Sequence, residues 1–286
     1  MSAIAAPALA GRARRPGVGT VYRWELRKLV AQKRTFLGLG AAVVVPLIFV
    51  VALLADSGGG PEGVPFGEYV RESGLAIPLV CLFFGALWLL PLITALVAGD
   101  IVAAEDHNGT LKTILTRSVE RWQVFAGKVI AALLYTLVAL FAYTAVGVVA
   151  GGLVYGFEPL TTLSGTTVGV GEALYLTFAG TLAYALPLSA MAGIALLLST
   201  LTRNSAAAVV GTLMVSILLQ ILGSINALEF LHPYLLSEQF NAWQGLLREP
   251  IDWAPVVRAG WVSALYGVPA VAVAFTVFLR RDVIGG

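Results

Sequence analysis

The chain has 286 residues, of which 58% are hydrophobic and 12% charged, with a mean hydropathy of +0.88. A soluble domain carries about a quarter charged residues, so this is the composition of an integral membrane protein with little left over for a separate soluble domain. The net charge of +2 gives no general attraction to nucleic acid, and the single Cys81 excludes an intrachain disulfide and a cysteine-based metal cluster.

In chain order, residues 1–19 place small residues before arginines, the reverse of a secretory signal, and read as a disordered cytosolic tail. Residues 20–286 read as one membrane domain. Tyr22, Leu26, Leu29 and Val30 recur at helical spacing opposite Arg23, Arg27, Lys28, Lys33 and Arg34, which is the pattern of an interfacial helix. The bland reading of the same charges is that they only set orientation. Six apolar spans follow, at about 36–55, 75–98, 129–154, 173–200, 205–226 and 259–279, each long enough to cross a bilayer. Only Leu201, Thr202, Arg203 and Asn204 separate the fourth from the fifth, so a tight helical hairpin is expected there.

With a cytosolic N-terminus, fifteen of the eighteen basic residues fall on the inner side; only Arg71, Arg248 and Arg258 fall outside. The positive-inside rule therefore puts both termini in the cytosol.

Three stretches carry the functional reading. Between the second and third spans, Gly99 to Arg117 forms a cytosolic loop in which Leu111, Ile114 and Leu115 share one face of a short helix, with Asn108 or Thr110 placed to cap it. Such a helix suits a groove on a cytosolic partner, or lies on the membrane surface. In the fifth span Thr212, Ser216, Gln220 and Ser224 follow at intervals of four along one stripe, which lines either a translocation path or an interface; interhelical packing is the plainer role. Outside, Leu236, Phe240, Trp243 and Leu247 recur at helical spacing in a segment, 230–255, broken by Pro233, Pro250 and Pro255. It reads as short helices dipping into the outer leaflet, or as an amphipathic surface loop. Gly147 and Gly151 form a small-residue pair in the third span. Pro46, Pro91, Pro187 and Pro269 sit inside spans, and Trp243, Trp253, Trp261 and Tyr266 read as an aromatic belt.

Several functions are disfavoured. His107 and His232 lie on opposite sides, so neither an intramembrane protease nor a metal site has its residues. No Gly-x-x-x-x-Gly-Lys-[Ser/Thr] loop exists, because Trp122 stands five residues before Gly127-Lys128 and Val129 follows them. The span centres lack the ionisable residue that an ion-coupled carrier needs.

Three motifs carry a family resemblance over most of the chain: the basic entry Trp24-Glu25-Leu26-Arg27-Lys28; Glu105 with Asn108-Gly109-Thr110-Leu111, then Arg121 and Gly127-Lys128; and the ending Phe278-Leu279-Arg280-Arg281-Asp282. In these the chain resembles the permease subunits of ABC type 2 transporters. The resemblance implies an all-α fold of six transmembrane helices, with an N-terminal amphipathic elbow helix (Tyr22, Trp24, Glu25, Arg27, Lys28), a cytosolic coupling helix, and an outer re-entrant segment between the fifth and sixth spans. It makes Glu105, Gly109, Thr110, Leu111 and Arg121 coupling-region candidates, joined by the apolar face residues Ile114 and Leu115. Glu105 is expected to bond backbone donors or to pair with Arg27 or Lys28. The implied partners are a cytosolic ABC ATPase subunit, a second permease copy or homologue, and membrane lipid. The chain itself takes no cofactor; ATP and Mg belong to the ATPase. The expected setting is the bacterial cytoplasmic membrane and the expected activity is export, with an ion-coupled secondary transporter or a non-transport membrane protein as alternatives.

Overall fold

Uninterrupted apolar runs of this length leave the backbone one way to satisfy its polar groups in lipid, which is to coil into helices. The computed structural model describes residues 17–56, 58–107, 109 and 119–280. About 80% of the chain is helical and six helices are long and apolar enough to cross a membrane, the fold of an all-α multi-pass membrane protein.

Helix α1 (Val18–Ala31) is short and amphipathic, and Gln32 separates it from the first long helix, α2 (Lys33–Ala55). The second long helix, α3 (Ala76–Ala98), contains a π-helical turn at Gly85–Leu89. One turn of helix, α4 (Ala103–His107), follows it. Then come α5 (Arg121–Tyr155), a hairpin of two-residue strands β1 (Leu160–Thr161) and β2 (Thr167–Val168), α6 (Val170–Thr202), α7 (Ser205–Ser224), the short α8 (Leu236–Gln239) and α9 (Ala254–Arg280).

The long helices match the expected spans closely, and the larger differences are extensions. Helix α5 starts at Arg121 rather than 129 because a capping box closes its first turn: the Glu120 side chain accepts from the Gln123 backbone while Gln123 returns a bond to the Glu120 N–H. At about 1.5 Å per residue it is roughly 50 Å long, well beyond a bilayer core of about 30 Å. The expected hairpin between the fourth and fifth spans is present. Arg203 takes a left-handed conformation (φ 54°) to end α6, and the Asn204 side chain accepts from Ala207 N–H to start α7. Residues 18 and 19, read as tail, are already helical in α1.

Helix α6 is the hub, packing against α9, α7, α3 and α5. Glycines set the closest approaches. A Cβ at Gly151 would lie 2.3 Å from the Gly74 carbonyl oxygen, and one at Gly147 would lie 3.1 Å from Pro78 Cα, so the small-residue pair does seat α5 against the start of α3.

The segment after α7 folds back over the end of the bundle in three short pieces: a 3₁₀ stretch (Asn226–Tyr234), α8, and another 3₁₀ stretch (Ala242–Leu247). Leu236, Phe240, Trp243 and Leu247 are all buried there against the bundle. This corrects the aromatic belt. Trp243 is 0% exposed and stacks on Phe66 with ring centroids 6.1 Å apart, because the fold-back turns it into the protein, whereas Trp253 and Trp261 stay exposed.

Candidate functional site: a charged hub at the basic end

The end of the bundle holding α1, α4 and the α6–α7 turn carries a cluster of buried charges. It begins with α1. The side chains that face the bundle are Val21, Glu25 and Leu29, one per turn. The apolar face read from sequence is therefore rotated: Val30 is exposed, and a carboxylate occupies the middle of the buried stripe. Close packing forces it there. A Cβ at Gly127 would lie 2.9 Å from Val21, so the glycine lets α1 settle onto α5 and brings Glu25 to the neighbouring Lys128.

Lys128 is fully buried near the start of α5. Its ammonium has three N–H groups and faces three oxygens: Glu105 Oε2 at 2.7 Å, the Ile101 carbonyl at 2.9 Å and Glu25 Oε2 at 3.3 Å. Glu105 reaches back from α4 to a second ammonium, accepting from Lys28 Nζ at 2.6 Å, and Lys28 also donates to Glu25 Oε1 at 2.8 Å. Two carboxylates and two ammonium groups thus alternate in one compact cluster that joins α1, α4 and α5. Of the two expected partners of Glu105, the structure supplies Lys28; Lys128 is an additional one.

The electrostatics follow from that alternation. Burial by itself would push the Glu105 carboxyl up, but Lys128 and Lys28 outweigh it and hold the group below its ordinary 4.5. Burial would likewise push Lys28 down, and the carboxylates of Glu105 and Glu25 outweigh it, leaving the ammonium above its ordinary 10.5.

A second set of contacts extends the cluster. Asp100, at the end of α3, is 1% exposed and bonds both Arg34 of α2 and the Ser205 hydroxyl of α7. Arg34 also donates to Ser205 Oγ at 3.0 Å. The Ser199 hydroxyl of α6 accepts from the backbone N–H groups of Val102 and Ala103 at 3.2 and 3.0 Å, satisfying donors at the start of α4. Arg203 in the α6–α7 turn lies 3.6 Å from Asp106. Arg121 donates to the Leu279 carbonyl at 2.9 Å, tying the start of α5 to the end of α9.

Of the expected coupling residues, Glu105 and Arg121 are part of this network. Gly109 adopts φ +66°, a left-handed conformation suited to glycine, and so turns the chain after α4. Thr110, Leu111, Ile114 and Leu115 lie outside the described residues. In α1, Glu25 and Lys28 enter the cluster, Tyr22 is partly buried, and Trp24 and Arg27 are exposed. Sequence reasoning missed Lys128, Asp100, Arg34, Ser199 and Ser205. The available signal was the spacing of Glu25 between Val21 and Leu29, which puts a carboxylate on a buried stripe and demands a partner.

The stripe on α7 sits elsewhere. Thr212 and Ser216 are buried inside this chain, Gln220 is half-buried and Ser224 is exposed. Thr212 and Ser224 bond carbonyls of their own helix. Gln220 crosses to α3 and donates to the Leu87 carbonyl. Pro91 has no N–H and so deprives that carbonyl of its α-helical donor four residues on. The amide of Gln220 takes the vacant place, beside the π-helical turn.

The chain belongs to the family described as a protein of unknown function (DUF2705), whose model matches residues 42–284. No curated protein matches it. The matched stretch contains all of the described network except α1 and Arg34.

Proposed function

We propose that this protein is the membrane-spanning permease subunit of an ATP-binding cassette exporter in a bacterial cytoplasmic membrane, with both termini cytosolic. One observation carries the proposal. The two flanks of the loop 108–118, residues 99–107 before it and 119–121 after it, are bonded or continuous with the ends of all six long helices. Asp100 bonds α2 and α7, α3 runs directly into the flank, Glu105 bonds α5, Ser199 of α6 bonds the start of α4, and Arg121 bonds α9. A force applied to that loop therefore has a polar connection to every span.

In this reading Leu111, Ile114 and Leu115 are the apolar face that docks on a cytosolic ATPase, and α1 is the elbow helix. The segment 230–255 forms the re-entrant outer segment, and a second copy or a homologue completes the path. ATP and Mg belong to the ATPase. The work of this chain's residues is mechanical. Glu105 and Lys128 hold the lead-in of the loop to α5, Glu25 and Lys28 hold α1 to the same point, and Gly109 sets the turn between α4 and the docking segment.

The charge pattern favours this over an ion-coupled carrier. Every ionisable Asp, Glu, Lys or Arg of the six long helices lies near a helix end, the deepest being Lys128, and Lys128 is saturated by neighbours rather than exposed to a path.

The test is affinity purification from the native membrane after mild crosslinking, with ATP hydrolysis measured on the product. A soluble ATPase is expected at about one copy per permease, and Leu111→Asp is expected to release it while thermal unfolding of the membrane part stays unchanged. A chain recovered alone after crosslinking, or a Leu111→Asp variant that keeps both partner and hydrolysis, overturns the assignment.

A further inference from the structure

At the end opposite the charged hub, a cleft of about 240 Å³ opens between the Asn226–Tyr234 stretch, α8 and the first turn of α9. Its lining includes His232, Glu238, Gln239, Asn241 and Arg258. The cleft is thus lined by one acidic and one basic residue, Glu238 and Arg258, and neither side chain forms a hydrogen bond or salt bridge among the described residues.

Both residues stand on fixed backbone. Glu238 sits on α8, which is pinned at three points: Gln239 donates to the Pro233 and Leu235 carbonyls at 3.1 and 2.9 Å, and Ser237 donates to the Leu219 carbonyl of α7 at 2.8 Å. The carboxylate also rests against α7, since a Cβ at Gly223 would lie 2.7 Å from Glu238 Oε1. Arg258 stands one turn into α9, a continuous helix.

A carboxylate and a guanidinium on one small cleft make a receptor for a ligand bearing both charges. An ammonium has three donors for Glu238, and a phosphate or carboxylate offers two oxygens to the planar fork of Arg258. The size agrees. Sites for drug-sized ligands run about 300–1,000 Å³, and this cleft lies below that range. An adjoining cleft of about 250 Å³, sharing Glu238 and Asn241 and bounded by Gln220, Ser224 and Leu87, gives the rest of a larger molecule a place to lie.

We propose that this cleft binds a small zwitterionic group, its ammonium on Glu238 and its anionic oxygens on Arg258. The group is either the headgroup of an aminophospholipid or a soluble zwitterion of the same chemistry. The inference does not depend on the ATPase coupling proposed above.

The test uses the full chain in nanodiscs of phosphatidylglycerol. Soluble O-phosphoethanolamine is titrated by calorimetry, and retention of phosphatidylethanolamine against phosphatidylcholine is read by native mass spectrometry. Binding of the soluble probe identifies a soluble ligand; selective retention of phosphatidylethanolamine alone identifies the lipid. Either supports the proposal if Glu238→Gln and Arg258→Gln each weaken binding at least tenfold while leaving the unfolding temperature unchanged. The proposal is overturned if neither probe binds, or if both variants bind like the wild type. It is equally overturned if glycerol phosphate, which has no ammonium, binds as well as O-phosphoethanolamine.

Discussion

Lys128 is the residue on which the basic end depends, and its burial makes the consequences of changing it specific. A buried ammonium is tolerable only when its partners replace the lost water, and here two carboxylates and a carbonyl do so. Removing one member of such a set leaves the others charged and dry, at a cost of about 3–5 kcal/mol. Lys128→Met is therefore expected to lower the unfolding temperature sharply. Adding Glu25→Gln is expected to restore part of the loss, because without Lys128 the carboxylates of Glu25 and Glu105 share Lys28 alone, and Glu25 is only 3% exposed. Full additivity of the two losses in a thermal-unfolding cycle would contradict the pairing. The same cluster sets a pH window. The depressed Glu105 carboxyl contributes stability above its ordinary 4.5 and loses it as pH falls through the lower folded value. The raised Lys28 ammonium contributes below its ordinary 10.5 and loses it only as pH climbs above that. Unfolding temperature is therefore expected to be flat, as far as this cluster sets it, between about pH 5 and 10 and to fall in acid. Glu105→Gln should remove the carboxyl's part of the acid limb.

Helix α3 shows how an element can depend on a neighbour for its own backbone. Pro91 leaves the Leu87 carbonyl without its helical donor, a π-helical turn forms at Gly85–Leu89, and Gln220 of α7 supplies the missing bond. Gln220→Leu leaves a carbonyl unsatisfied in a place with little water, a loss of about 1–2 kcal/mol. Pro91→Ala returns an N–H to the helix, so in that background Gln220→Leu should cost much less. Equal costs in both backgrounds, read from unfolding temperatures, would show that Gln220 does not serve this carbonyl. What the sequence disclosed and what it hid divide along similar lines. The six spans were legible because a run of about 20 apolar residues has few other fates, and the α6–α7 turn because Arg203 and Asn204 interrupt one. The start of α5 was not, since Lys128 reads as the charge that ends a span until Glu25 and Glu105 are seen to neutralise it. Likewise Trp243 follows the spacing of a membrane-interface aromatic, and only the fold-back over α6 and α9 turns it onto Phe66. Periodicity fixes which residues share a face, but long-range pairing decides what that face meets.

At the scale of the whole molecule the two ends differ in chemistry, and the difference argues for one orientation. The α1 end holds Lys28, Arg34, Lys128 and Arg203, each meeting a carboxylate on the stretch from Asp100 to Asp106. The opposite end carries Glu62, Glu68 and Glu72, with Arg71 spent on the Leu53 carbonyl at 3.0 Å at the end of α2. Basic segments are retained on the cytosolic side during insertion, so the α1 end should face the cytosol. That prediction bears on the proposed function as well, because the proposed ATPase partner would have to reach the segment 108–118 from the cytosol. Thr20 is exposed on α1 and Glu68 is exposed on the far end, so a cysteine at either site is accessible without disturbing a bond to another helix. The native Cys81 is buried and should stay silent. In intact cells a membrane-impermeant maleimide is expected to label Glu68→Cys and to miss Thr20→Cys until the membrane is opened. The reverse pattern would place the charged hub outside and remove the ground for an ATPase partner, whatever the integrity of the hub itself.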